Sequence, residues 1–292
     1  MSNNNDTIAW LTSARDDAAI RLLEDVLQQN LRPALVVCAV GRNTRSRDSQ
    51  IAQICAAHDL PYERFLSEPF DCTSIESALG NIVDDKFCAL TLVEFRRRSY
   101  DRSLGLIFDR YGCRKILLAG YMRIATPVLS EGGRVLINLH PAPPHGPTGS
   151  WQDVIWSLIA VRANVAGGML HIVTEKVDRG PVVSYYTTPI DGDELAPLWS
   201  EFLAGGGYDS EQDFRGKPEA IRLFDAIRNK QFIREAPLII LTLQGLLSGA
   251  LKISSAGLTV DRDFMPRGLS LDEQIERMLG NHSSNPNGRP KG

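Results

Sequence analysis

Short unbroken apolar runs, interleaved with helical patterns, constrain the fold of this chain more than any other feature. Residues 7–12 (TIAWLT), 34–40 (ALVVCAV), 115–119 (KILLA) and 135–138 (VLIN) are apolar almost throughout. A strand with one wet face alternates polar and apolar residues, whereas a strand apolar on both sides must be covered on both. Between these runs, 16–29 places Ala19, Ile20, Leu22, Leu23, Val26 and Leu27 at helical spacing. Segments 49–58 and 100–111 are also helical, and 62–65 is a shorter strand. Strands separated by helices predict a doubly wound α/β fold built on a mostly parallel sheet. Right-handed crossovers then gather the strand ends, and the ligand site, along one edge of that sheet.

The pattern changes after Asn138. Residues 141–149 carry four prolines and two glycines and predict a loop. Residues 151–161 read as a helix. Residues 169–174 and 182–187 read as strands, joined by a turn at Asp178-Arg179-Gly180-Pro181. The polar stretch 191–217, with its Gly205-Gly206-Gly207 run, predicts an inserted loop or mobile segment. Two helices are expected at 220–228 and 236–247, a hairpin from 250–253 and 258–260, and a short helix at 270–279. The expected organisation is a catalytic domain over 1–248, a C-terminal hairpin and helix over 249–280, and a disordered polar tail over 281–292. The apolar stretch 237–247 suits core better than subunit interface, although a homodimer remains open.

Composition narrows the class of function. Net charge is -3, and the only basic cluster is Arg96-Arg97-Arg98, which reads as a solvated helix start. No nucleic-acid partner is expected from that balance. Five cysteines (Cys38, Cys55, Cys72, Cys88 and Cys113) are scattered singly, which argues against a disulfide framework or a metal centre. No apolar stretch is long enough for a membrane span, and the first residues lack a signal-peptide pattern, so a cytoplasmic protein is expected.

Chemistry is most concentrated at Asn138-Leu139-His140-Pro141, where a buried strand ends. Residues two apart on a strand point to the same side. An Asn amide and an imidazole facing one cavity suit acyl transfer: the amide donates to a developing oxyanion, and the imidazole handles the proton of an attacking amine. Taken alone, an Asn-x-His pair serves equally well as a cap or a satisfied core polar group.

Three blocks in order sharpen the reading. Ala119-Gly120-Tyr121-Met122-Arg123-Ile124, then Ile137-Asn138-Leu139-His140-Pro141, then His171-Ile172-Val173-Thr174-Glu175-Lys176-Val177-Asp178-Arg179-Gly180-Pro181, resemble the signature blocks of the glycinamide ribonucleotide formyltransferase family. The stretch Ser99-Tyr100-Asp101-Arg102 is similar too; the likeness is strong from about 100 to 190 and thinner elsewhere. The resemblance implies a Rossmann-like formyltransferase fold with a C-terminal helix and hairpin extension. It also implies a folate-dependent one-carbon transferase of biosynthesis, with 10-formyltetrahydrofolate as formyl donor, a small-molecule amine as acceptor and no metal. By position it implies catalytic roles for Asn138, His140 and Asp178. Met122, Arg123, Ile124, Thr174, Glu175 and Val177 would line the folate. Ser13, Arg15 and Glu235 would face the acceptor. His171 is expected to be a structural strand residue, and His145 a loop residue with a weaker claim on substrate.

One departure stands out. The turn after the first strand is Gly-rich in the family and cradles the substrate phosphate; here it reads Thr12-Ser13-Ala14-Arg15-Asp16-Asp17. It has no glycine, and two carboxylates stand at the start of the following helix, where they would repel an anion. The acceptor is therefore expected to be an amine or hydroxylamine other than glycinamide ribonucleotide. Alternatives are glycinamide ribonucleotide itself, hydrolysis of formyltetrahydrofolate, and non-catalytic folate binding. Hydrolysis is the less expected of these, since the family's hydrolases carry an additional N-terminal domain and the first strand here begins near Thr7.

Overall fold

The structure is a computed structural model, and it describes residues 7–41, 45–67, 70, 86–206 and 211–283. Cys72 and the expected tail beyond 283 lie outside the described residues. The fold is α/β, and eight strands belong to one mostly parallel sheet. The chain divides into two compact units, Met1–Asn138 with Val173–Glu175, and Leu139–Ile172 with Lys176–Gly292.

The first unit follows the apolar runs. Strands β1 (Ile8–Thr12), β2 (Leu35–Val40), β3 (Tyr62–Leu66), β4 (Lys115–Leu118) and the start of β5 (Val135–His140) lie in the order β3-β2-β1-β4-β5, with β1–β2, β2–β3, β1–β4 and β4–β5 all parallel. Every residue of β1 and β2 is buried, as a strand covered on both faces requires. Helix α1 (Asp17–Gln28) buries Ala19, Ile20, Leu22, Leu23, Val26 and Leu27, the stripe read from their spacing. Asp16 caps it, its carboxylate accepting the Ala19 amide at 3.2 Å. Helix α2 spans Arg45–Ala57. Helix α3 spans Lys86–Arg110, so Arg96–Arg98 lie within a helix rather than at its start. Burial pushes the Cys38 and Cys55 thiols up to about 12, the behaviour of inert core cysteines.

The second unit takes up β5 at Leu139 and continues through helix α4 (Trp151–Ala160), β6 (Val165–Ile172) and β7 (Val182–Pro189). Strands β6 and β7 are antiparallel, and their register slips between Leu170 and His171. Where it is described, the 191–217 stretch is largely helical rather than a loop: it carries helices α5 (Ala196–Ala204) and α6 (Glu211–Phe214), with 207–210 outside the described residues. Leu195, Trp199, Phe202 and Phe214 are buried in one cluster with Val154, Ile155, Leu158, Ile159, Leu223 and Ile227. The apolar face was masked by the polar and glycine residues around it, and tertiary packing overrode that composition. Nor are there two helices after it. Helix α7 runs unbroken through Pro218–Leu247 with Pro237 inside. Proline removes one helical hydrogen bond and usually kinks or ends a helix. Here Arg234, Glu235 and Ala236 before it and Leu238, Ile239 and Ile240 after it are all buried, and packing on both sides carries the helix through.

The expected C-terminal hairpin has a third strand. Strands β8 (Leu251–Ser254), β9 (Gly257–Val260) and β10 (Asp263–Met265) form a small antiparallel sheet, while β11 (Leu269–Ser270) pairs with β7 in parallel. Helix α8 follows at Asp272–Ser283. No helix among the described residues is long and apolar enough to cross a membrane.

Candidate active site

Strand β5 carries Asn138 and ends at His140, two of the residues singled out in the sequence. Asn138 pairs in register with Leu118 of β4, and His140, two residues on, closes the strand at 1% exposure. Strand alternation puts the two side chains on the same side. The proline-rich loop then returns over His140, whose Nε2 lies 2.8 Å from the carbonyl oxygen of Pro147. A carbonyl can only accept, so Nε2 carries the proton and a neutral ring presents a bare Nδ1 on its other side.

That other side faces Asp178. His140 Nδ1 lies 3.5 Å from Asp178 Oδ2. The same oxygen accepts the Gly149 amide at 3.1 Å. Asp178 holds a left-handed backbone conformation, φ 54°, which aspartate tolerates better than most residues. The third member was not expected: His171 Nε2 lies 3.7 Å from Asp178 Oδ1, while His171 Nδ1 meets the Ile172 carbonyl oxygen at 3.0 Å. One carboxylate is thus flanked by two imidazoles, each directing its proton-bearing nitrogen at a backbone carbonyl. Only the register slip and the β6–β7 hairpin place His171 there. The single trace in the sequence is its position at the head of the third signature block.

Electrostatics follow from this geometry. Burial lowers the pKa of His140 below the ordinary value; the Pro147 carbonyl and the Asp178 charge oppose that, and His171 and Arg179 reinforce it. Burial by itself would raise Asp178, but the neighbouring His171 and His140 imidazoles and the Gly149 amide together hold it below the usual carboxylate value. At neutral pH the arrangement is an anionic carboxylate beside a neutral imidazole, able to take up one proton. Among the described residues, no group of three or more His, Cys, Asp or Glu could hold a metal ion.

The remaining expected residues fall in several settings. The loop after β4 holds Met122 and Ile124 exposed, and Arg123 lies over the Tyr100 ring, 4.4 Å from its centre. Thr174 and Glu175 are exposed beside Val173, whose amide donates to the Leu136 carbonyl at 2.9 Å. Val177 is exposed in the turn that carries Asp178. Ser13 is buried, and its hydroxyl accepts the Met122 amide at 3.1 Å, so it braces the Met122 loop. Arg15 is exposed. Glu235 is 4% exposed and is ion-paired with Arg228, which occupies its carboxylate from within the same helix. His145 is exposed, with φ 67°. At the first turn Ala14 takes φ 47°, so the chain makes the tight bend without glycine, and Asp16 fills the helix N-terminus.

A mostly parallel α/β sheet, with the polar cluster at the carboxyl end of a central strand, belongs to the doubly wound class. Among solved structures, the chain is similar to glycinamide ribonucleotide transformylase 1 from Symbiobacterium toebii, with TM-score 0.56 and 16% identity over 89% of this chain and 95% of that one. Phosphoribosylglycinamide formyltransferase from Bacillus halodurans gives 0.53 at 18% identity, over 84% and 96%. A formyltetrahydrofolate deformylase from Pseudomonas syringae gives 0.50 at 15% identity, over 87% of this chain and 65% of that one. The chain thus has the fold shared by these formyltransferase and deformylase structures. No family model matches the sequence. No curated protein matches it either.

Proposed function

We propose that this chain is a member of the folate-dependent formyltransferase family. In this reading it moves a formyl group from 10-formyltetrahydrofolate to the amine or hydroxylamine of a small acceptor other than glycinamide ribonucleotide. The observation that carries the reading is the His140–Asp178 pair at the end of β5, on the strand that also bears Asn138. The acceptor nitrogen attacks the formyl carbon, and the carbonyl electrons move onto oxygen, where the Asn138 amide donates. The amine gives up its proton to His140 Nδ1, with Asp178 balancing the charge. Collapse of the intermediate re-forms the carbonyl and breaks the bond from the formyl carbon to the folate nitrogen, which leaves as the proton held by His140 passes to it. No side-chain nucleophile is required, and positioning supplies much of the acceleration.

Met122, Arg123, Ile124, Thr174, Glu175 and Val177 remain the proposed folate contacts. The exclusion of a phosphorylated acceptor rests on Asp16: its carboxylate already accepts an N-terminal amide of α1, where a phosphate would need to sit. The test is tetrahydrofolate release from 10-formyltetrahydrofolate across a panel of amines. Release that depends on an amine supports transfer, and release without one supports hydrolysis. Absence of folate binding by calorimetry sinks both. Turnover with glycinamide ribonucleotide at ordinary rates overturns the acceptor assignment.

A further inference from the structure

Helix α7 reaches the loop that follows His140, and it does so through one residue with no assigned role. Gln231 is fully buried. Its side-chain amide nitrogen donates to the Pro141 carbonyl at 2.7 Å and to the Gly167 carbonyl at 2.9 Å. The orientation is forced: turned over, the amide would set its oxygen against two carbonyl oxygens. Its own oxygen is left buried without a partner, an arrangement that carries a desolvation penalty and so invites a functional reason.

The surroundings fit a fixture rather than filler. Pro141 is the residue after His140, and Pro143 of the same loop packs against Gly167, where a Cβ would come within 3.1 Å of the proline. The Tyr186 hydroxyl donates to the Gln231 backbone carbonyl at 2.9 Å. One helical turn earlier on α7, Arg228 stacks on Trp151, 4.9 Å from the ring centre, at the first residue of α4. Helix α7 therefore grips the chain just before and just after the loop whose Pro147 carbonyl meets His140.

We propose that Gln231 is a positioning residue, which fixes the start of the 141–149 loop so that the Pro147 carbonyl sets the ring orientation and tautomer of His140. The proposal rests on the reading of His140 as the proton-handling residue. Gln231→Met keeps most of the volume and removes both donors. Turnover is expected to fall about tenfold, with KM for the formyl donor within about twofold, because positioning is felt in the transition state more than in donor binding. The His140 ring, followed by NMR titration, is expected to titrate at lower pH, since loss of the Pro147 carbonyl removes an interaction that favours the imidazolium. A purely structural Gln231 would lower thermal stability and leave turnover and the His140 titration unchanged, and that result overturns the proposal. If Gln231→Met does not fold, Tyr186→Phe removes the hydroxyl that holds the Gln231 backbone. It should move the His140 titration in the same direction, and an unmoved midpoint is equally decisive. The titration needs no substrate, so an inactive wild-type protein would count against formyl transfer without touching the positioning result.

Discussion

Asp178 Oδ2 stands 3.5 Å from Nδ1 of His140 and accepts the Gly149 amide at the same time. The separation exceeds a good hydrogen bond, as befits two groups that are both acceptors while the imidazole is neutral. One proton arriving between them would turn the contact into a charge-assisted bond. The pair can therefore take up one proton, which under the proposed function is the one the attacking amine loses.

The pH dependence follows from these directions. His140 titrates below its ordinary 6.5, so the rate should be level through neutral pH and fall only in acid, with a midpoint under that value. Stability runs the same way. The neutral His140 contributes stability that is present above 6.5 and lost as pH falls through its lower folded value. Asp178, depressed from 3.8, contributes stability present above that value and lost as pH falls through a still lower one. Rate profiles and melting temperatures between pH 4 and 8 check the His140 window, and melting temperatures below pH 4 check that of Asp178; a rate midpoint above 6.5 would contradict the assigned protonation state.

Asn138→Ala should lower kcat by about 10²–10³ through loss of an oxyanion donor. His140→Ala should lower it by roughly 10²–10⁴. Asp178→Asn removes the charge and should fall in the same range, with His140 titrating lower still. Steady-state kinetics on folded variants decides the matter, and unchanged turnover in Asn138→Ala and His140→Ala would remove the catalytic assignment.

Glu235 and Arg228 form a buried pair, their side chains 5% and 16% exposed. Glu235→Ala strands the guanidinium and should cost about 3 kcal/mol or more in denaturant unfolding. The double variant with Arg228→Met, which also gives up the stack on Trp151, should lose less than the sum of the two single losses, as a coupled pair does. Additive losses would mean that the coupling is absent.

Gly167→Ala should be severely destabilising. Its Cβ would lie 2.3 Å from the Tyr186 carbonyl oxygen, a backbone atom on the paired strand that cannot step aside. A loss of about 4 kcal/mol is expected, in the exceptional range for one substitution. Gly192→Ala, where nothing lies within 4 Å, is the control and should stay within about 1 kcal/mol of the parent.

Much of the fold was legible because the parallel strands are buried on both faces and so are written as continuous apolar runs: β1, β2, β4 and β5 fall within a residue or two of 7–12, 34–40, 115–119 and 135–138, although β5 runs on to His140. The helices at 196–204 and 211–214 were hidden because their apolar faces are short and set among glycines and acids. Helix α7 was read as two because a proline and a stretch of charge interrupt its pattern, while the packing that overrides them comes from residues distant in sequence. Of the candidate site, motif order singles out Asn138, His140 and Asp178, and the structure brings His140 and Asp178 together; the sequence gives no sign that His171 lies beside them. Its closeness to Asp178 depends on how a hairpin closes, which one strand's own pattern does not encode.

The sequence by itself determined the parallel α/β class, the strand that ends at His140, and the glycine-free first turn. Each of these is a local matter of burial pattern, strand parity or backbone freedom. Only the tertiary structure decided that Asp178 sits between two imidazoles, that Ser13 braces the Met122 loop, that Glu235 is taken up by Arg228, and that Gln231 holds the loop beside His140. The Ser13–Met122, His140–Asp178 and Gln231–Pro141 contacts join segments tens of residues apart. Asp178–His171 and Glu235–Arg228, seven apart, depend on how a hairpin closes and how one helix face is packed. All are set by packing and by the need to satisfy buried polar groups.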